Sequence, residues 1–379
     1  MCIVEQIANI PCRERRAAMN EVESRVPAPL LFKPDLTVAT RRWEAYFAGE
    51  VIDRPLVCVT APIEGKQAVP LSTYAQRAHG DLDDAIDRAL INAEATWCGG
   101  EVMPAFWLSF GCDEIAAFCG SELVWGGNSG NTTWSKSFVN DWAECLPLRL
   151  QEDHPLWQRM LSFYRKAADR LEGKMLLKPL DLHTNMDLLA AVRNPQRLCM
   201  DMIDQPEMID RAMNGARAIF REVWEAIAAA GRMDELGDYH DFYSREGAAC
   251  LQCDFSCMMS PEMFRRWVLP ALEAEASVVQ HALYHWDGPG ALAHTNDLLA
   301  ARGLHTLSYV PGAGHGEHID HLDLMKRVQA GGKSVSVAGT PEQLKLMHRE
   351  LRPEKAMYWT HTKTIKEGEE LLRWFVRNT

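Results

Sequence analysis

Short runs of apolar, β-branched residues alternate along the chain with longer stretches in which apolar residues recur every three or four positions. The short runs are PLVCVT (55–60), MLLKPLDL (175–182), ACLQCDF (249–255), HALYH (281–285), LHTLSYV (304–310), KSVSVAG (333–339) and AMYWTH (356–361), with further candidates at AFWLSF (105–110) and ELVW (122–125). They have the length and composition of strands. PLWQRMLSFYRKAADRLEGK and DQPEMIDRAMNGARAIFREVWEAIAAAG carry the helical period, and both end near glycine. SPEMFRRWVLPALEAEA (260–276) opens with a serine in N-cap position and a proline in the first turn. Strands alternating with helices predict a parallel sheet. About eight such units, with neither G-x-G-x-x-G nor G-x-x-x-x-G-K-[ST], predict an α/β fold closed as a (β/α)8 TIM barrel. The charged, helix-like residues 1–50 read as an N-terminal helical extension on a barrel formed by 51–379.

Composition narrows the function. The chain has 379 residues, 47% of them hydrophobic, and 52 acidic against 40 basic residues for a net charge of −12. That balance argues against nucleic acid or an anionic membrane as partner. MCIVEQIANIPCRERR has too short an apolar run for a signal peptide, and no stretch is long enough to span a bilayer, so a cytoplasmic protein is expected. The 11 cysteines are scattered and read as reduced thiols. Cys250 and Cys253 form a C-x-x-C, but three positions apart on a strand they face opposite ways and do not share a metal.

In a barrel of this kind chemistry sits where strands end. The candidate strand ends carry His183, Asn185 and Asp187, then Asp254, then His285 and Asp287, and finally Trp359, Thr360 and His361. His285 and Asp287 lie two apart, so they share a face if the strand continues to Asp287. The spacing leaves three readings open: two ligands of a metal, an acid–base pair, or a core histidine followed by turn chemistry at Asp287-Gly288. His315, His318 and His321 sit in a glycine-rich stretch and read as a rim loop. Trp125 and Trp134 flank GGNSGNTTW and are candidates for walling a flat ligand. Tyr239 joins them as a substrate-binding candidate, as does Asp187. His240 joins Asp254 and His183 as an acid–base candidate.

The order LDLHTNMDLLAAVRNPQRL, CDFSCMMSPEMFRRWVLPAL, HWDG, VAGTPEQLKL and MYWTHT resembles the uroporphyrinogen decarboxylase superfamily over roughly residues 50 to 379. That group includes heme-pathway decarboxylases and corrinoid-dependent methyltransferases on the same (β/α)8 barrel, and the opening RRWEAYFAGEVIDRPLVCV looks like the methyltransferase-like branch. The decarboxylases' R-Q-A-G-R-Y motif is missing, since APIEGKQ follows the first strand. The methyltransferase branch often binds zinc through H-x-C and a later cysteine. Here His285 is kept, Asp287 replaces the cysteine, and His361 (or Thr360) stands at the last strand.

The resemblance therefore implies zinc held by His285, Asp287 and His361, with Asp254 or His240 as a further ligand or base. Harder ligands than thiolate would leave such an ion more Lewis acidic, which suits a demethylase acting on a small methylated substrate, O-methyl included. The corrinoid (cobalamin) acceptor would come on a separate protein. Asp181-Leu182-His183 matches the start of a corrinoid-carrier D-x-H-x-x-G only by coincidence, lacking the glycine. Two alternatives stand beside this reading. One is a metal-free lyase on a carboxylated substrate, with His183 or His285 as acid and Asp254 stabilising positive charge. The other is a non-catalytic ligand-binding barrel; a homodimer is left open in each case.

Overall fold

A computed structural model describes residues 28–126, 132–233, 238–239 and 242–379. Residues 1–27 of the expected extension and His240 lie outside the described residues. The strands are β1 (Leu56–Pro62), β2 (Thr96–Gly100), β3 (Ala105–Trp107), β4 (Glu122–Trp125), β5 (Thr133–Lys136), β6 (Leu176–Lys178), β7 (Asp238–Tyr239), β8 (Tyr243–Ser244), β9 (Ala248–Gln252), β10 (His281–Asp287), β11 (Leu304–Val310), β12 (Ser334–Ala338) and β13 (Ala356–His361). Helices stand between most of them, giving a mixed α/β fold around a parallel sheet.

The main sheet runs β2-β1-β13-β12-β11-β10-β9, parallel throughout except for β2, which pairs antiparallel with β1 at the edge. β3 and β6 form a separate parallel pair. Side chains link that pair's end to the main sheet: Gln252 Nε2 donates to Asp181 Oδ1 at 2.6 Å and Asn185 Nδ2 donates to the Gln252 carbonyl at 3.0 Å. ELVW does not join the main sheet but forms a hairpin with β5.

Strand alternation sorts the core into two layers. Val57, Val59, Ala249, Leu251, Tyr284, Val335, Val337 and Tyr358 point to the helix-covered face. Their neighbours Leu56, Cys58, Ala248, Cys250, Leu283 and Met357 point the other way and pack with Leu36, Ala39, Trp43 and Tyr46 of the helix Leu36–Phe47. The described part of the extension is thus a component of the inner core. Lys33, fully buried, fastens its start by donating to the carbonyls of Cys98 at 2.9 Å and Gly100 at 2.6 Å. Gly100 needs to be glycine: its φ is +61°, and a Cβ would lie 1.9 Å from the Val57 carbonyl oxygen.

Two strands stop earlier than their apolar runs suggest. β6 ends at Lys178 because Pro179 has no N–H for a ladder, and residues 181–184 turn on local bonds from His183 N to Asp181 O and Thr184 N to Leu182 O. β9 ends at Gln252, and Asp254 opens a 3₁₀ turn, Asp254–Met258, instead of sitting on a strand. HALYH continues further than expected, through Asp287. The helix after SPEMF passes through a π-helical turn, Phe264–Val268.

Candidate active site at the strand ends

The inner-face register continues to the carboxyl ends of the strands. On β10, Leu283 faces inward, so His285 and Asp287 do as well, both half-buried. Gln252 on β9 pairs with His285, and its side chain reaches Asp181. Asp254 follows on the next turn.

Asp187 organises this turn. Its carboxylate accepts the backbone N–H groups of Asp254 at 3.0 Å and Phe255 at 2.8 Å, which holds the start of Asp254–Met258. Asp187 itself sits in the first turn of the helix Asn185–Arg193, where a carboxylate also meets the positive end of the helix dipole. That helix starts from Asn185 at φ 48°, a left-handed residue tied down by Nδ2 bonds to Gln252 and to the buried Glu275. Thr184 Oγ1 donates to Glu275 at 2.7 Å. Burial pushes the Glu275 carboxyl up to about 8 despite these donors.

His183 lies between two carboxylates, with Nε2 3.5 Å from Asp181 and Nδ1 3.6 Å from Asp187. Burial works against its charge, but Asp181, Asp187 and Cys112 together outweigh burial and hold the imidazole well above its ordinary range. Its charged form is therefore favoured over that of an ordinary histidine. Asp254 is also raised, from the ordinary carboxylate range up to about 6, first by burial and then by the negative charge of Asp187. The charges of His183 and His285 pull it down, and that of Asp287 adds to the rise. Its Oδ1 is buried and has no hydrogen-bond partner among the described residues. The loop after β3 adds Asp113, raised by burial and close enough to feel His183 and Asp187. The cluster therefore holds an imidazole whose charged form is favoured, an acid that titrates near 6, and an open carboxyl oxygen.

Of the residues singled out from the sequence, His183, Asp187, Asp254, His285 and Asp287 come together here. His361 does not join them. It is exposed, its Nδ1 lies 3.0 Å from Thr60 Oγ1, and β12 and β11 stand between its strand and β10. Among the described residues, no three His, Cys, Asp or Glu side chains converge as a group able to hold a metal. Trp125 and Trp134 correct another expectation. In the β4–β5 register Trp125 pairs with Thr133 and Trp134 with Val124, so the two indoles stand on opposite faces and do not wall one pocket. Trp125 instead donates to the Phe110 carbonyl at 3.0 Å, while Trp134 is exposed. Tyr239 is placed by its backbone in β7, which pairs with β8 and not with a strand of the main sheet.

The rim histidines also have structural duties. His318 accepts the Ala338 N–H at Nδ1 and donates from Nε2 to the Tyr309 carbonyl at 2.7 Å, bracing the ends of β11 and β12. His321 donates to the His315 carbonyl. Cys250 and Cys253 fall in different core layers, as three-residue spacing predicts. Sequence patterns alone gave no prominence to Asp181, Cys112, Asp113 or Glu275. GCDE at 111–114 was the available signal: two acids after a glycine, directly beyond a strand.

No family model matches the chain, and no curated protein matches it. Among solved structures, a methyltransferase from Methanosarcina mazei is similar with a TM-score of 0.59 and 14% identity, over 90% of this chain and 98% of that one. At that identity the likeness is one of fold.

Proposed function

We propose that the chain is a methyltransferase of the uroporphyrinogen decarboxylase superfamily, removing a methyl group from a small methylated substrate at the cluster around Asp254. The observation that carries this reading is Asp254: a carboxyl with one unpartnered oxygen, titrating near 6, set among His183, Asp187, His285 and Asp287 at the strand ends. The shared fold with a methyltransferase along most of both chains supports it. In this reading β1, β3, β6 and β9 to β13 are the eight strands of a (β/α)8 barrel, whose chemistry belongs at that end.

Methyl transfer breaks the bond between methyl carbon and leaving atom. The bonding pair stays on the leaving atom, which needs a proton, while the acceptor's own pair forms the new bond to carbon. Asp254 supplies the proton, since half of it is protonated near pH 6. The imidazolium of His183 stabilises negative charge growing on the leaving group without moving a proton. The acceptor is a corrinoid on a separate protein docked over the strand ends, and it supplies the nucleophile. For zinc, His285 and Asp287 offer two donors, but the described residues complete no three-ligand set, so no step is assigned to a metal.

The test is methylation of free, reduced cobalamin from a panel of O-, N- and S-methyl compounds, followed by absorbance. Wild-type protein should methylate it, and Asp254→Asn should be at least ~100-fold slower, the usual contribution of a positioned acid. Release of carbon dioxide from a carboxylated substrate, with no methylation, would replace this reading with the lyase. Near-stoichiometric zinc in the same preparation, lost in His285→Ala, would restore the metal-assisted version.

A further inference from the structure

β2 pairs with β1, β3 pairs with β6, and no ladder joins β1 or β2 to β3 among the described residues. A cavity of about 300 Å³ fills that break, bounded by Thr60, Arg77, Asn92, Met103, Phe106 and Trp107. Most of its wall is apolar, and among the described residues Arg77 is the one charged side chain in it. That arginine is 7% exposed. It stacks over Tyr74 and donates from Nε to the Ser72 carbonyl at 3.2 Å and from Nη1 to the Trp107 carbonyl at 2.9 Å. No carboxylate pairs with it among the described residues, and no acceptor there takes its Nη2 protons. The indole Nε1–H of Trp107, in the same wall, is a second donor without a partner among the described residues.

A buried guanidinium without a counterion is costly, which is why such groups are paired in most proteins. Burial accordingly lowers the proton affinity of Arg77, against the opposing charges of Tyr74 and Glu114; Glu114, itself pushed up to about 8 by burial, makes no ion pair with it. Bringing an anion to it removes that penalty, and guanidinium matches carboxylate in shape and donor spacing. Thr60 and Trp107 put one side of the cavity on the inner face. Its edge is also close to the cluster: Cys112 and Asp181, which act on His183, act on Tyr74 too.

We propose that this cavity is an anchoring subsite for a small monocarboxylate with an apolar body, its carboxylate on Arg77 and Trp107. One unpaired cation suits one carboxylate. Ligand binding here stands independently of the chemistry; that the bound acid carries the transferable methyl rests on the methyl-transfer reading.

Titration of the full chain with benzoate, and with benzamide as its neutral counterpart, tests the subsite by calorimetry or by NMR of the ligand. Benzoate should bind saturably and at least tenfold more tightly than benzamide. Arg77→Gln should abolish that preference, and Trp107→Phe, which keeps the ring and removes the N–H, should weaken benzoate several-fold. Equal binding of the two probes, or no benzoate binding by folded wild-type protein, overturns the proposal, and neither result depends on Arg77→Gln folding. Benzoate binding without methyl transfer from any methylated acid would leave the subsite standing and sink the methyl-transfer reading. Methyl transfer by a protein that binds benzoate no better than benzamide would do the reverse.

Discussion

The carboxylate of Asp187 accepts the backbone N–H of Asp254 at 3.0 Å, so one acid of the cluster fixes the main chain of the other while its charge resists ionisation of that neighbour. Asp187→Asn separates the two effects, because the amide oxygen still accepts a hydrogen bond but carries no charge. The carboxyl of Asp254 should then titrate below about 6, which carbon-detected NMR of labelled aspartate reads directly. An unmoved titration would show that the charge of Asp187 does not raise Asp254. Asp187→Ala should also cost about 1–3 kcal/mol of stability for each N–H left unpaired, at Asp254 and Phe255.

His183 gives a second titration of opposite purpose. Its folded pKa is raised above the ordinary histidine value, so its ion pairs stabilise the fold fully below the unfolded pKa near 6.5. That stabilisation is lost as pH rises through the folded value. Proton NMR should find the ring charged at pH 7, and Asp181→Asn should lower its pKa by removing the neighbour 3.5 Å from Nε2. A ring that is neutral at pH 7 in the wild type would remove the fixed cation from the mechanism.

The parallel ladder was legible because β1 and β9 to β13 keep an inner–outer alternation that local sequence displays. His285 and Asp287 were legible for the same reason, being two positions apart on a strand that does reach Asp287. Asp254 was found as a residue but not in its conformation. What ends β9 is followed by a cap from Asp187, 67 positions away in sequence, which no local pattern contains. His361 ends β13, which β12 and β11 separate from β10 in strand order, and among the described residues it belongs to no group of three potential metal ligands. The tryptophan pair failed on hairpin register, which a glycine-rich stretch leaves unspecified. Arg77 was passed over because TYAQRAHGDL reads as an ordinary surface helix. Its burial comes from contacts with Ser72, Tyr74 and Trp107, the last 30 positions away in sequence.

At the opposite end from the cluster, His281 stacks on Phe47 with ring centroids 3.6 Å apart, and His305 meets the same ring at 5.1 Å. Burial lowers both imidazoles to about 4, and for His305 the nearby His281, Lys333 and Lys355 add to the effect. Neutral rings are thus part of the fold. Their contribution is complete above the unfolded value near 6.5 and is lost as pH falls toward about 4. Melting temperature should drop across that window, and the His281→Gln/His305→Gln double variant should show a flatter profile. Identical acid limbs in variant and wild type would place the sensitivity elsewhere.

Glu101 supports the seam between the helix Leu36–Phe47 and the sheet. Its carboxylate, fully buried, accepts Arg54 Nη1 at 2.5 Å and Nη2 at 2.8 Å, Arg42 Nη1 at 3.2 Å and the Val57 N–H at 2.9 Å, while its carbonyl takes the Trp43 indole at 3.0 Å. Removing the acid leaves Arg54, itself buried, as an uncompensated charge at the start of β1. Glu101→Ala should therefore cost about 3–5 kcal/mol in urea unfolding, the range for breaking one side of a buried pair. Glu101→Gln keeps acceptors for Val57 and one guanidinium nitrogen, so its loss should be smaller. Arg42→Ala removes only the outer, partly exposed partner and should cost under about 1 kcal/mol. If Arg42→Ala proved as damaging as Glu101→Ala, the outer arginine would be the one holding the helix to the sheet, and the inner pair would be a passenger.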